Sequence, residues 1–395
     1  MKWVSEKDWL RRFQKDPPSR TFTQFMKHAT VRTGSGKLVP LAEYALAHQI
    51  DTEHLKLLQG NLVNRFAYLC NFYATSLAVK DPHSLRMEPA MKRGEINNNA
   101  QVGFKNAIRN MHLLDILKRT KSGLAGIPTF LDVLEDFYFR EIIDYKMVTP
   151  SALFYMRNGR LGSVFSSYYF RASIMNPYVV YSINESILKG TRIFTPTLGW
   201  SSYVHGFLES PRVLEYVGTD VIPGVCKKTG EFVQQYYPDR VRDVTIYCDP
   251  SQTFLDNHAF LQKYRGHFDA VFFSPPYYEL ELYPDTNKKQ STTTFASYED
   301  WLAGYWEKTM QLCEEVLCPG GKMCYILSGY GSGNSSGGNS SGSGTGPPKY
   351  AMLEDMNKVA KKYFHLQATL PMHNKNVHVS THRETAEKIM VFTKK

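Results

Sequence analysis

The chain has 395 residues, and its 47 Lys and Arg residues exceed its 37 Asp and Glu residues by 10, which gives a formal net charge of +10 at pH 7. Hydrophobic residues make up 43% and charged residues 21% of the chain, so the composition excludes a generally disordered protein. No apolar run reaches the roughly 18 residues that cross a bilayer. The excess of positive charge favours a polyanionic partner, but only in combination with an independent motif.

The N-terminal segment and the cysteines indicate a compartment. Charged residues are scattered through the first 13 positions, where a secretory signal peptide has an uninterrupted apolar stretch. The six cysteines include no Cys-x-x-Cys pair, which argues against a zinc ribbon and against a disulfide framework. We therefore expect an intracellular protein of a reducing compartment (cytoplasm, nucleus or organelle matrix) that does not associate with membranes.

Residues 1–145 are predicted to form a mainly helical region. Apolar residues recur at helical spacing between Leu41 and Leu69, and a second amphipathic helix is indicated around 107–117. Basic residues cluster beside this second helix, which indicates either a solvated helix face or a face that contacts phosphates. For the second alternative, the nucleic-acid-binding candidates are Lys105 and Arg109.

Residues 146–395 are predicted to form an α/β domain. Short runs rich in β-branched and aromatic residues alternate with segments that can form helices; the runs are 191–195, 214–219, 244–248, 268–273, 322–327 and 388–393. Such an alternation predicts a parallel sheet with helices on both faces. The stretch 329–348 is nearly all Gly, Ser and Asn, and because it falls between two strands we expect a flexible insertion within this domain.

The strongest motif is Ser274-Pro275-Pro276-Tyr277, directly after the apolar strand 268–273. In an open parallel sheet, ligands bind outside the carboxyl ends of the strands. Two prolines stiffen this loop. The side-chain oxygen of Ser274 and the carbonyl oxygen of Pro275 can together accept both hydrogens of an exocyclic amino group. Tyr277 offers a flat face on which an extruded base can stack.

This motif resembles the catalytic loop of the class I S-adenosylmethionine-dependent amino-methyltransferases that act on adenine N6 or cytosine N4 of DNA. The family pattern is Asp, Asn or Ser, then Pro-Pro, then an aromatic residue. The resemblance covers roughly residues 165–395. It implies a Rossmann-like class I methyltransferase sheet, S-adenosylmethionine as cofactor and base flipping as the route to the target. By family habit, Ser274 at the first position leans towards cytosine N4.

The resemblance also implies a cofactor site. In the family's pattern, Thr195, Gly199 and Trp200 fall in the cofactor loop, Asp220 accepts hydrogen bonds from the ribose hydroxyls, and Asp249 faces the adenine amino group of the cofactor. The segment that precedes this loop in the family corresponds to Asn176 and Pro177. The sequence departs from the pattern twice, because Thr195 replaces an acid and Ser201 replaces a second glycine.

Further polar residues follow the catalytic loop. Lys288 and Lys289 lie in a polar segment that either clamps a flipped base and its phosphates or forms only a mobile loop. His378 and Arg383, near the C-terminus, are further candidates for contacts with nucleic acid. The histidines of this region have no paired cysteines and no His-Glu-x-x-His spacing, so we expect no metal site.

Three hypotheses for the function remain open at this point. The leading one is a methyltransferase that acts on an exocyclic amino group of a DNA base, with DNA as the partner. The second is a methyltransferase-like nucleic-acid-binding or assembly protein with weak or no turnover, motivated by Thr195 and Ser201. The third keeps the enzyme but replaces DNA by RNA or by a protein amide.

Overall fold

A computed structural model describes residues 1–16, 19–80, 86–123, 126–283, 289–328, 350–375 and 382–395. The helices in these ranges are α1 (Glu6–Arg11), α2 (Phe22–His28), α3 (Leu41–Ala47), α4 (Thr52–Val63), α5 (Arg65–Phe72), α6 (Gly103–Met111), α7 (Phe130–Glu135), α8 (Pro150–Arg157), α9 (Leu161–Tyr168), α10 (Pro177–Ile183), α11 (Ser202–Leu208), α12 (Pro223–Tyr236), α13 (His258–Tyr264), α14 (Ser291–Thr294), α15 (Tyr298–Trp301), α16 (Lys308–Val316) and α17 (Met352–Tyr363). Several helices continue into a short turn of wider or tighter winding.

The strands form three sheets. They are β1 (Thr30–Arg32), β2 (Leu38–Pro40), β3 (Lys121–Ser122), β4 (Ile142–Asp144), β5 (Arg192–Thr195), β6 (Glu215–Thr219), β7 (Val244–Tyr247), β8 (Phe268–Phe273), β9 (Glu281–Leu282), β10 (Leu317–Ser328), β11 (Phe364–Lys375) and β12 (His382–Lys394). The central sheet has seven strands in the order β11-β12-β10-β8-β5-β6-β7. Strands β1, β2 and β4 form a small second sheet, and β3 pairs with β9.

The central sheet has the predicted Rossmann-like class I methyltransferase architecture. Strands β5, β6, β7, β8 and β10 pair in parallel, while β12 runs antiparallel to both β10 and β11. The chain order therefore reverses direction between β5 and β8, which places the crevice for a ligand at the carboxyl ends of these two strands. The six predicted strands are all present, and the fold prediction is confirmed.

Burial explains why the strand sequences are apolar throughout. Five of the six residues in β8 are buried, as are three of the four in β5. A strand that packs helices against both of its faces has no solvent side and therefore no alternation of polar residues. Ser297 caps the N-terminus of α15, because its side chain accepts a hydrogen bond from the Asp300 amide.

The N-terminal region is mainly helical, as predicted, and adds the small sheet of β1, β2 and β4. It packs directly on the helices of the central sheet. Trp3 Nε1 donates to the hydroxyl of Tyr236 in α12, and Lys228 of the same helix donates to the carbonyl oxygen of Met111 at 2.9 Å. One hydrophobic core extends from Trp9 to Phe392. The domain boundary between residues 145 and 146 stays a prediction.

Two further observations concern the described ranges. The Gly/Ser-rich stretch 329–348 lies outside them, between β10 and α17, both of which belong to the same α/β layer structure. Within the described ranges, no helix combines the length and the hydropathy that crossing a bilayer requires.

Candidate functional site

A cleft opens at the carboxyl ends of β5, β6, β7 and β8. These are the strand ends at which the sequence places candidate cofactor and catalytic residues. The lining side chains and backbone belong to Pro196, Thr197, Gly199, Trp200, Asp220, Val221, Ile222, Val225, Asp249, Pro250, Ser251, Gln252, Ser274, Pro276, Tyr283, Lys289, Ser291 and Tyr305. The cleft therefore combines candidates for both roles, Asp220 and Ser274 among them.

The loop after β5 contains one left-handed turn. Gly199, Trp200 and Ser201 have φ values of +52°, +58° and +69°, and the turn leads directly into α11. For residues other than glycine this conformation costs roughly 1–2 kcal/mol each. Two such residues in succession are a strained backbone, and backbone strain of this kind concentrates at ligand-binding sites.

Ser201 is held by two buried partners. Its hydroxyl lies 2.9 Å from Nε2 of His112 and 2.6 Å from the hydroxyl of Thr229, and the residue is fully buried. Both partners lie outside the set of residues that line the cleft. The serine that replaces the second glycine of the family pattern therefore leaves the cleft open, because its side chain is bound elsewhere.

Asp220 ends the strand β6 with a fixed carboxylate. Oδ2 accepts a hydrogen bond from the Leu198 amide at 3.1 Å, and Oδ1 accepts one from the Ile222 amide at 3.0 Å. Burial raises the pKa of Asp220 to about 6, against the opposing effect of these hydrogen bonds. The carboxylate thus joins the loop after β5 to the loop after β6, and it faces the cleft as a hydrogen-bond acceptor.

An apolar wall extends from Asp220 to the end of β7. Val221, Ile222 and Val225 line the cleft on this side, and Asp249 lies at the far end. A flat heteroaromatic ring fits against aliphatic side chains of this kind, with a carboxylate in reach of its edge. Asp249 is half exposed and forms an ion pair with Lys289. Hydrogen bonding to Asp249 raises the pKa of Lys289.

The hydroxyl of Ser274 is oriented by its neighbours. Its oxygen donates to the carbonyl oxygen of Ile326 at 3.2 Å, and the Ser274 amide donates to the hydroxyl of Tyr203 at 2.9 Å. Because a serine hydroxyl has one proton and two lone pairs, donation to Ile326 leaves the lone pairs to accept hydrogens from another group. The Ser274 hydroxyl is therefore oriented as a hydrogen-bond acceptor at the carboxyl end of β8.

The rest of the catalytic loop lies between the cleft and the core. Pro275 is buried, Pro276 lines the cleft, and Tyr277 lies half-buried against the core. The carbonyl oxygen of Tyr277 accepts from the Leu280 amide at 2.8 Å, which turns the chain back after the prolines. Aromatic rings also stand in the cleft itself, where Trp200 and Tyr283 have centroids 5.8 Å apart.

Three predicted cofactor contacts do not line the cleft. Thr195 is fully buried, and its hydroxyl lies 2.6 Å from that of Tyr216 beneath the sheet edge. Asn176 caps α10, where its Oδ1 accepts from the Tyr178 amide at 3.0 Å, and its Nδ2 donates to the carbonyl oxygen of Ala100 at 2.6 Å. Pro177 occupies the first turn of the same helix. Thr195, Asn176 and Pro177 thus lie outside the set of lining residues, and their role as cofactor contacts stays a prediction.

The predicted nucleic-acid contacts are dispersed. Lys289 lines the cleft, whereas Lys105 is half-buried and Arg109 is buried, so neither belongs to a solvated helix face. Lys288 and His378 lie outside the described residues, as does the side chain of Arg383. Among the described residues, no group of three His, Cys, Asp or Glu side chains is arranged to hold a metal ion.

Several residues of the cleft were not predicted from the sequence. Those next to predicted acids follow a simple rule, because Val221 and Ile222 come directly after Asp220, and Ser251 and Gln252 come just after Asp249. Other cleft residues, such as Tyr305, come from helical segments that have no such signal. Tyr203, which holds the Ser274 amide, also has no signature in the sequence.

No family model and no curated protein matches the chain. Solved structures with a similar arrangement include TrmN from Thermus thermophilus (9% identity, 56% of this chain and 49% of that chain, TM-score 0.35), the N-methyltransferase NodS from Bradyrhizobium japonicum in complex with S-adenosyl-l-homocysteine (9%, 54% and 82%, 0.33) and a methyltransferase from Pyrococcus furiosus (15%, 55% and 83%, 0.33). The chain spans about half the length of TrmN. Similarity at this level adds nothing on activity to what the cleft itself shows.

Proposed function

We propose that the protein transfers a methyl group from S-adenosylmethionine to an exocyclic amino group of a DNA base, either cytosine N4 or adenine N6. The observation that carries this proposal is the position of Ser274. Its hydroxyl is preset as an acceptor in the cleft that also contains the fixed carboxylate of Asp220. Acceptance from an amino group and binding of a ribose are the two tasks that this reaction requires of the chain.

The residues present fit the cofactor. The desolvated carboxylate of Asp220 can accept hydrogen bonds from two ribose hydroxyls, since each of its oxygens has lone pairs beyond the one used by a backbone amide. The wall of Val221, Ile222 and Val225 suits the adenine ring. When bound, S-adenosylmethionine supplies the methyl group on an electrophilic sulfonium. Neither departure from the family pattern blocks the cleft, because the hydroxyls of Thr195 and Ser201 are bound to buried partners.

The catalytic loop supplies orientation and electrostatic stabilisation. The amino nitrogen of adenine or cytosine is a poor nucleophile, because its lone pair is delocalised into the ring. Hydrogen bonds from this nitrogen to Ser274 Oγ and to the Pro275 carbonyl oxygen favour a pyramidal nitrogen with a lone pair free for in-line attack. The loop is rigid, so positioning and stabilisation cost little at the moment of reaction.

The choice of DNA as substrate rests on the residues around the cleft. An amino group inside a duplex cannot reach Ser274, so the base must leave the stack. Tyr277 belongs to the catalytic loop, and Tyr283 lines the cleft. Their rings can stack on the extruded base. The net charge of +10 suits a polyanion.

A methyl-transfer assay tests the proposal. The protein is incubated with labelled S-adenosylmethionine and mixed-sequence duplex DNA, which is digested to nucleosides and separated. We expect label in N4-methyldeoxycytidine or N6-methyldeoxyadenosine for the wild type and for the control S5A, whose serine caps α1 and does not line the cleft. For S274A we expect a loss of about 100-fold, the lower range for a removed transition-state hydrogen bond. Label in RNA or in protein, with none in DNA, would refute DNA as the substrate. Absence of cofactor binding would refute the methyltransferase activity itself.

A further inference from the structure

Three basic residues interact electrostatically with one another in a largely buried environment. Lys105 and Arg109 lie one turn apart on α6, and Arg171 belongs to the segment between α9 and α10. Arg109 keeps only 9% of its surface exposed, while Lys105 and Arg171 are partly exposed. Burial together with mutual repulsion lowers the pKa of Lys105 to about 7 and the pKa of Arg109 to about 9. Burial also lowers the pKa of Arg171.

These cations have no ion pair within the described part of the chain. Arg109 donates to the carbonyl oxygen of Ser76 at 2.7 Å and to the side chain of Asn106 at 3.2 Å, and its buried Nε has no acceptor. Lys105 reaches the side-chain oxygen of Asn99 only at 3.5 Å. The described residues offer Arg171 no hydrogen-bond acceptor.

Their neighbour Tyr68 shows the same lack of a partner. Its hydroxyl is buried without a hydrogen bond and interacts electrostatically with Arg171. Arg32, by contrast, is partly buried and forms an ion pair with Asp136. An uncompensated buried cation is costly, and an unsatisfied buried donor adds to that cost. A cluster of both kinds of group has the composition of an anion site.

The cluster lies towards the edge of the sheet that holds the catalytic loop. Glu387, in β12, acts electrostatically on Lys105. Glu387 is in register with Ser328 of β10, two residues beyond Ile326, and the Ile326 carbonyl oxygen accepts from Ser274. The basic cluster and the acceptor for the amino group are therefore at the same edge.

We propose that Lys105, Arg109 and Arg171 bind a single phosphate group of the DNA substrate. This inference rests on the proposed function, and it gives that function a substrate contact. Arg109 forms the floor of the site, and the partly exposed Lys105 and Arg171 approach the phosphate from the sides. The planar guanidinium groups donate in pairs to phosphate oxygens, whereas the ammonium group contributes a point charge.

The test measures DNA binding without turnover. Dissociation constants of a labelled duplex are recorded against salt concentration for the wild type, K105Q, R171Q and the control K358Q, which removes one charge from the exposed side of α17. We expect K105Q and R171Q to weaken binding ~3- to 10-fold at low salt and to reduce the slope of log K against log salt by about 0.9 each, one phosphate contact. K358Q should leave the slope as in the wild type.

A pH series separates a phosphate contact from a structural role. Arg109, Arg171 and Glu387 are the charged groups that act on Lys105. Because a bound phosphate favours protonated Lys105, wild-type affinity should fall by up to ~10-fold per pH unit above pH 7. K105R stays charged, so its affinity should stay level with pH. Equal profiles for the two proteins, or an unchanged salt slope in a folded R171Q, would overturn the site.

The same experiments distinguish this inference from the proposed function. Cofactor titrations should give equal affinity for all four proteins, because none of the changed residues lines the cleft. If methyl transfer depends on Ser274 but the salt slope of R171Q equals that of the wild type, the proposed function is supported and the phosphate site is refuted. If the salt slope of R171Q is reduced but the wild type transfers no methyl group to DNA, the phosphate site is supported and the proposed function is refuted.

Discussion

At the scale of single residues, Tyr203 joins the two loops of the cleft. Its hydroxyl accepts the hydrogen bond of the Ser274 amide, and its ring lies against Gly199, where an added Cβ would come within 2.3 Å of it. Burial raises the pKa of Tyr203 to about 12, so the hydroxyl stays protonated at neutral pH. The position of Ser274 thus depends on a residue in the first turn of α11.

Tyr203→Phe should slow methyl transfer about 3- to 10-fold, since a hydrogen bond of this type contributes roughly 0.5–1.5 kcal/mol. Cofactor affinity should stay as in the wild type, because Tyr203 does not line the cleft. Single-turnover rates and cofactor titrations measure the two effects. The matched control is Tyr325→Phe on β10, which removes a hydroxyl that donates to Asn357 of α17. Equal turnover rates for the two variants would contradict the role of Tyr203.

Asp220 predicts a dependence of cofactor affinity on pH. The carboxylate must be ionised to accept two ribose hydroxyls, and its pKa is raised to about 6 by burial. Affinity should be constant above pH 7 and should fall about 10-fold by pH 5. Its contribution to folding has the opposite direction: it is present below the ordinary value of 3.8 and is lost as pH rises through about 6. Calorimetric titration of the wild type and of Asp220→Asn checks this, since the variant should bind weakly at every pH.

At the scale of elements, two opposing effects act on the left-handed turn before α11. The strained backbone destabilises it, and the buried hydrogen bonds of Ser201 stabilise it. Ser201→Ala keeps the strain and leaves His112 and Thr229 without their partner, so we expect a loss of about 1–3 kcal/mol in the free energy of unfolding. Ser201→Gly loses the same bonds but relieves the strain, so it should be about 1 kcal/mol more stable than the alanine variant.

Urea unfolding of these variants gives the order directly. The matched control is the pair Lys358→Ala and Lys358→Gly in the middle of α17, where glycine should be the less stable of the two by about 1 kcal/mol. If alanine were also the more stable substitution at position 201, the left-handed conformation of this turn would be contradicted.

The elements differ in how far the sequence could predict them. Parallel strands such as β8 are buried on both faces, so their apolar runs are visible in the chain. Strand β11 was missed, because half-exposed residues and two register shifts leave it without a continuous apolar run. The Ser-Pro-Pro-Tyr loop and Asp220 were predictable because they follow strand ends, whereas the hydrogen bond from Ser274 to Tyr203 depends on the packing of α11.

At the scale of the whole molecule, the same limit applies to the basic residues of α6. Their spacing is that of a charged helix face, and the sequence allows either solvent or phosphate beside them. The structure buries Arg109 under the helices around it, which no local pattern reveals. The N-terminal region therefore forms part of the environment of the cleft: His112 holds Ser201 of the cofactor loop, and Lys228 of α12 reaches back to Met111 and Asp115.

This arrangement predicts that residues 146–395 do not fold alone. Removal of 1–145 would expose the apolar faces of α10 and α12 and would leave Ser201 without His112, so the core from Trp9 to Phe392 would lose one side. We expect the isolated segment to aggregate or to unfold without a cooperative transition. Co-expression of 1–145 as a separate chain should restore soluble material, because it supplies the missing apolar surface. A cooperative thermal transition of 146–395 by itself would instead show that this segment folds independently.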